Sequence, residues 1–105
     1  MIRELHIAKS FKIDIKKLNK KEKNDTREVV LKLQKDEPLE EKYYDHALHG
    51  NYEGFRECHV HPDLLLVYKK TDDGDIYILS LLRISSHTLS HDEIFDAVRT
   101  HIRAK

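Results

Sequence analysis

Apolar residues recur along this chain first at helical and then at strand spacing. The opening segment, Ile2 to Ile7, alternates apolar and polar positions through Leu5 and Ile7, which predicts a short strand. From Ser10 onward Phe11, Ile15 and Leu18 return every three to four residues with lysines between them, so an amphipathic helix ending near Asn19 is expected. A second helix follows, with its cap among Asn24, Asp25 and Thr26 and with Val29, Val30 and Leu33 turned to the core. It stops at Asp36-Glu37-Pro38, because a residue before proline is pushed out of helical geometry. Residues 38–54 carry no period and read as a long loop holding Pro38, Tyr43, Tyr44, Asp45, His46 and His49. Long loops in small domains are disproportionately functional.

The period then changes to two. Phe55 to His61 alternates, with Phe55, Glu57, His59 and His61 on one face and Arg56, Cys58 and Val60 on the other. Leu64 to Tyr68 is a continuous apolar run, the mark of a central strand covered on both faces. Asp72-Asp73-Gly74-Asp75 is a hairpin turn, since Asp-Gly tolerates positive φ, and Ile76 to Leu82 is the returning strand with Arg83 at its end. Ser90 with Glu93 spells a capping box for a terminal helix over 90–105 with Ile94, Phe95, Val98 and Ile102 as its stripe. The expected fold is α+β: a small antiparallel sheet with two N-terminal helices packed on one face and an additional C-terminal helix, all in one domain over 1–105.

Composition narrows the setting. A chain of 105 residues is the size of one domain. No stretch approaches the roughly 20 apolar residues of a membrane span, so the cytoplasm is the expected location, with no membrane partner. Cys58 is the only cysteine and is expected to be a small buried hydrophobe. The net charge is zero but unevenly spread: residues 1–35 carry 11 Lys or Arg against 5 Asp or Glu, and residues 36–105 carry 8 against 14. A basic first third can face a polyanion; solvated outer faces of two helices would look the same.

The candidate chemistry lies in the histidines. Five of the eight, His46, His49, His59, His61 and His87, fall in the loop and strand segments. Imidazoles titrate near neutrality, so two of them can serve as base and acid at one pH, which suits cleavage of a phosphodiester by its own 2′-hydroxyl. A cation must offset charge on the phosphorane, and the planar fork of Arg83 suits that task. Taken singly, a strand histidine is more often structural and a strand-end arginine is more often a salt-bridge partner. A small His-rich metalloprotein competes, since His59 with His61, or His87 with His91, could hold zinc. Neither pair carries an HExxH glutamate or cysteine ligands, so no metal or other cofactor is expected.

The order of residues is more specific than that chemistry. The run from Asp45 to Tyr68, DHALHGNYEGFRECHVHPDLLLVY, and then Leu81-Leu82-Arg83-Ile84-Ser85-Ser86-His87 with its Arg-x-x-x-His spacing, closely resemble the YafQ branch of the RelE-like toxins over residues 1–91. The resemblance implies a RelE-like fold and a metal-independent endoribonuclease that cuts messenger RNA, typically on the ribosome, and is held inactive by a cognate antitoxin. An antitoxin-binding module with little catalysis is the alternative, and the oligomeric state stays open. Carried over position by position, the family's site falls on His46, His59, Asp63, Arg83 and His87. His87 would protonate the leaving group, Arg83 would stabilise the phosphorane, His46 or His59 would be the base, and Asp63 would orient an imidazole. Glu57, His61 and His91 are expected to touch substrate. The chain departs from the family at Leu64, where a tryptophan is common, at His91, where the family tends to end in phenylalanine, and in its neutral charge.

Overall fold

The computed structural model describes residues 2–85. Its five-stranded sheet has the order β1-β5-β4-β3-β2. In sequence the elements are β1 (Glu4–Ile7), α1 (Lys9–Ile15), α2 (Lys20–Gln34), β2 (His46–Ala47), β3 (Phe55–His61), β4 (Leu64–Asp73) and β5 (Ile76–Ser85), with single 3₁₀ turns at Glu41–Tyr43 and Gly50–Tyr52. Strands β2 to β5 pair antiparallel, and β1 adds in parallel to β5, with Glu4 opposite Ile78 and Ile7 opposite Leu81. A parallel neighbour needs a crossover, and α1, α2 and the rest of the chain up to β5 supply it. The expected α+β layout is present, with one parallel pair at its edge. The terminal helix expected over 90–105, with its capping box, lies outside the described residues.

Both helices lie on one face. Phe11, Leu18, Val29, Val30 and Leu33 pack on Cys58, Val60, Leu64, Leu66, Tyr68, Leu79, Leu81 and Ile84, and this cluster is the main core. Each fully buried Leu or Val in it contributes about 1.5–3 kcal/mol relative to exposure. On the opposite face Phe55, Val67 and Leu82 form a smaller cluster with Leu48 and Tyr52 laid over them. Strand β4 is therefore apolar on both sides, as its unbroken run predicts.

Helix boundaries differ from the expectation in one instructive way. The cap of α2 is Asn19: its side chain accepts the Glu22 N–H at 2.8 Å, and Glu22 Oε1 accepts the Asn19 N–H at 2.9 Å, a full capping box. Asn24, Asp25 and Thr26 lie inside the helix, where Thr26 Oγ1 donates back to the Glu22 carbonyl at 2.7 Å. Asn19 thus begins the second helix, and the first is shorter than the apolar spacing suggested. The long loop is likewise more ordered than its lack of period implied, because its middle pairs with β3 as β2.

Helix α1 also closes a sheet edge. Beyond Leu81, β5 has lost β1 as a neighbour, and α1 takes over: Ser10 Oγ donates to the Leu82 carbonyl at 2.6 Å and Asp14 Oδ2 accepts the Ile84 N–H at 3.1 Å. Two backbone groups that an open edge would leave unpaired are satisfied by side chains.

Candidate active site

The site is assembled on the segment that enters β2. After the 3₁₀ turn, Tyr44 adopts φ 44, a left-handed conformation that reverses the chain. Asp45 then anchors it. Its carboxylate accepts a hydrogen bond from the Tyr68 hydroxyl and two bonds from Arg56, Nη2 at 2.9 Å and Nε at 3.3 Å. Burial, followed by the Asp45 carboxylate, pushes the Tyr68 phenol well above its ordinary range, so it stays a donor. The anchored chain sets His46 opposite Glu57 and Ala47 opposite Arg56.

His46 and His59 are brought together. Their ring centroids lie 6.3 Å apart, and Tyr44 stands beside both, at 5.0 Å from His46 and 5.6 Å from His59. A carbonyl can only accept, so His46 Nδ1 donates to the Tyr44 oxygen at 2.8 Å and His59 Nδ1 donates to the Pro62 oxygen at 3.1 Å. Both rings are thereby held in the same sense, with Nε2 left as the proton-exchanging nitrogen. His46 Nε2 lies 3.3 Å from Glu57 Oε1, whose side chain is only 14% exposed. Glu57 and Asp63 were expected to touch substrate and to orient an imidazole, respectively; here Glu57 faces a ring, while Asp63 is exposed in the β3–β4 turn with no hydrogen bond among the described residues. Among the described residues the carbonyls of Tyr44 and Pro62 orient the His46 and His59 rings.

His61 does not share the face of His59. A bulge at Val60 shifts the register, so that His59 pairs with Leu65 but His61 pairs with Leu64 on the helix side. There its Nε2 donates to Asp25 Oδ2 of α2 at 2.6 Å. The pair walls a cavity of about 370 Å³ with Lys21, Glu28, Lys42, Tyr43, His59 and Pro62. The Asp25 carboxyl is held below its ordinary value by the His61 hydrogen bond first and the Lys21 one second. Strict alternation placed His61 beside His59; the extra residue reverses it.

Arg83 shares a lateral row with the imidazole cluster. It pairs with Val67, Val67 pairs with Glu57, and Glu57 pairs with His46, and residues paired across strands project to the same face. At a strand spacing of about 4.8 Å the Arg83 backbone is roughly 14 Å from that of His46. The guanidinium is held by Asp14, Nε to Oδ2 at 2.6 Å and Nη2 to Oδ1 at 3.0 Å, and the Asp14 side chain is only 6% exposed. Sequence reasoning missed this partner, although an aspartate three residues after Phe11 and four before Leu18, on the stripe of α1, was its signal. It also passed over Tyr44. His87 and His91 lie outside the described residues. Cys58 is fully buried and burial pushes its thiol up to about 12, which removes it as a nucleophile. Among the described residues no group of three or more His, Cys, Asp or Glu side chains is placed to hold a metal ion.

Known proteins resemble this chain in sequence and fold. The "mRNA interferase toxin YafQ" of Escherichia coli K12 is 33% identical over 73 residues, 67% of this chain and 79% of the relative. A copper-bound mutant toxin from Helicobacter pylori superposes with TM-score 0.69 at 39% identity, over 90% of this chain and 100% of that one. The toxin of the Escherichia coli DinJ-YafQ toxin-antitoxin complex superposes with TM-score 0.68 at 31% identity, over 81% of this chain and 92% of that one. The family described as "Bacterial toxin of type II toxin-antitoxin system, YafQ" matches residues 3–96, and the chain belongs to it.

Proposed function

We propose that this toxin is a cytoplasmic endoribonuclease that cuts messenger RNA on the ribosome and is silenced by a cognate antitoxin. The observation that carries the catalytic part is the His46–His59 pair: two neighbouring imidazoles, each held through Nδ1 by a backbone carbonyl. Cleavage needs a base for the 2′-hydroxyl proton, an acid for the departing 5′ oxygen and a cation at the phosphorane. His46 or His59 is the base, and Glu57, 3.3 Å from His46 Nε2, offsets the charge of an imidazolium at His46. The 2′ oxygen attacks phosphorus, the 5′ oxygen leaves, and the products are a 2′,3′-cyclic phosphate and a 5′-hydroxyl. His59 lies beside the reacting atoms, and the resemblance assigns the proton donor to His87. Arg83 keeps its charge at any accessible pH and addresses the phosphate from across the Val67 floor, in a position fixed by Asp14. The lysine-rich first third supplies the electrostatic attraction for RNA. No helix of the described residues is long and apolar enough to cross a membrane.

The test is single-turnover cleavage of messenger RNA on programmed ribosomes by His46→Ala and His59→Ala. Loss of a positioned acid or base lowers the rate by about 10²- to 10⁴-fold, so each variant should fall in that range with its thermal midpoint nearly unchanged. Rates within threefold of the parent in both would remove the assignment.

A further inference from the structure

Tyr44 carries features that neither packing nor the proton-transfer steps account for. Its φ of 44 is a conformation that a residue with a side chain adopts rarely, and the ring is 67% exposed, so burial does not offset the strain. Among the described residues it is the only aromatic in the set of exposed large apolar side chains, and the chain contains no tryptophan. The ring stands beside both imidazoles, tilted by 48° to His46 and by 73° to His59. The backbone that presents it is anchored immediately afterwards by Asp45 on Tyr68 and Arg56. A strained, anchored and exposed aromatic at the rim of a phosphodiester-cleaving pair has the properties of a stacking surface. Single-stranded RNA is gripped chiefly by stacking its splayed bases on such rings.

We propose that Tyr44 is the base-stacking platform of this site, taking a nucleobase that flanks the scissile phosphate and so laying the sugar between His46 and His59. This rests on the cleavage reading above. Because stacking uses the ring and not the hydroxyl, Tyr44→Phe keeps function and Tyr44→Leu loses it.

The experiment is a double-substitution cycle on programmed ribosomes. The parent, Y44F and Y44L proteins each cleave messenger RNA that is either intact or abasic at one of the two nucleotides flanking the cut. On intact RNA, Y44L should lose about 10- to 100-fold in kcat/KM and Y44F less than about threefold. At one of the two positions, removing the base should cost the parent a comparable factor and cost Y44L little more. A ring that only props up the histidines predicts instead that Y44L and the parent lose equally at both positions, and that result overturns the proposal. Y44F failing as badly as Y44L overturns it too. A parent protein inert on intact RNA removes the cleavage reading itself, whereas a parent that cuts normally alongside an unaffected Y44L removes only the role of Tyr44.

Discussion

The two ends of the lateral row from Arg83 to His46 are built in opposite ways. At the Arg83 end a guanidinium is gripped in two places by a nearly buried carboxylate that also receives a strand N–H, so three donors converge on Asp14. At the His46 end the imidazoles are half-exposed, meet Tyr44 and each other through ring contacts, face a single carboxylate at 3.3 Å, and hang on a two-residue strand whose anchor is Asp45. Charge there is presented, whereas at Arg83 it is tied down. A motif that names both ends alike hides this difference, which decides how a substitution at each end should be interpreted.

The largest effect should come from cutting the tied end. Asp14→Ala leaves a partly buried guanidinium without its counter-charge and a strand N–H without an acceptor, and should cost about 3–5 kcal/mol in urea unfolding. Arg83→Ala should lose a comparable amount by stranding Asp14. Lost activity in that variant therefore counts as support for phosphate stabilisation only when the folded fraction is measured alongside. An Asp14→Ala protein as stable as its parent would break the contrast.

At the presented end the expected change has the opposite sign and is smaller. Tyr44→Gly should stabilise the protein by about 0.5–1 kcal/mol, because glycine takes the left-handed conformation without strain, while cleavage falls. A site kept at the expense of stability would then be visible in one variant.

The smallest effect concerns the second tied pair, His61 with Asp25. Since the folded-state value of Asp25 is depressed, its contribution is present above the ordinary carboxylate value of 3.8 and is lost as pH falls through and below it. Asp36, depressed by Arg3 first and Lys70 second, behaves the same way. Asp25→Asn should lower the urea midpoint slightly near neutrality and flatten the curve between about pH 5 and pH 3, so that variant and parent converge at low pH. A variant that keeps the parent's slope between about pH 5 and pH 3 and changes it only near neutrality would mean that the imidazole, and not the carboxylate, dominates.

Much of the fold was legible because periodicity reports burial. Phe55 to His59, the Leu64 run and the Gly74 turn fall where alternation and turn chemistry put them. What escaped were features that periodicity does not encode. Two-residue β2 is too short to show a period, and the bulge at Val60 adds a residue that alternation cannot see. Asn19 caps α2 with a glutamate three residues on, yet the polar run Lys20 to Lys23 gave no apolar step to mark a start. For the site, the residue order brought His46 and His59 forward, but the partners that define their use are distant or bland in sequence. Asp14 is 69 residues from Arg83, and Tyr44 was one aromatic in a loop.

Strand β1 has a consequence for the birth of the molecule. Its partners, Ile78 to Leu81, are made some 74 residues after Glu4, and at about 5–20 residues per second the first strand waits roughly 4–15 s for its neighbour. Long-range parallel pairing of this kind is slow to form and late to finish. A nascent chain therefore completes its sheet only after β5 has been translated, which delays an enzyme of translation's own template until that strand has emerged.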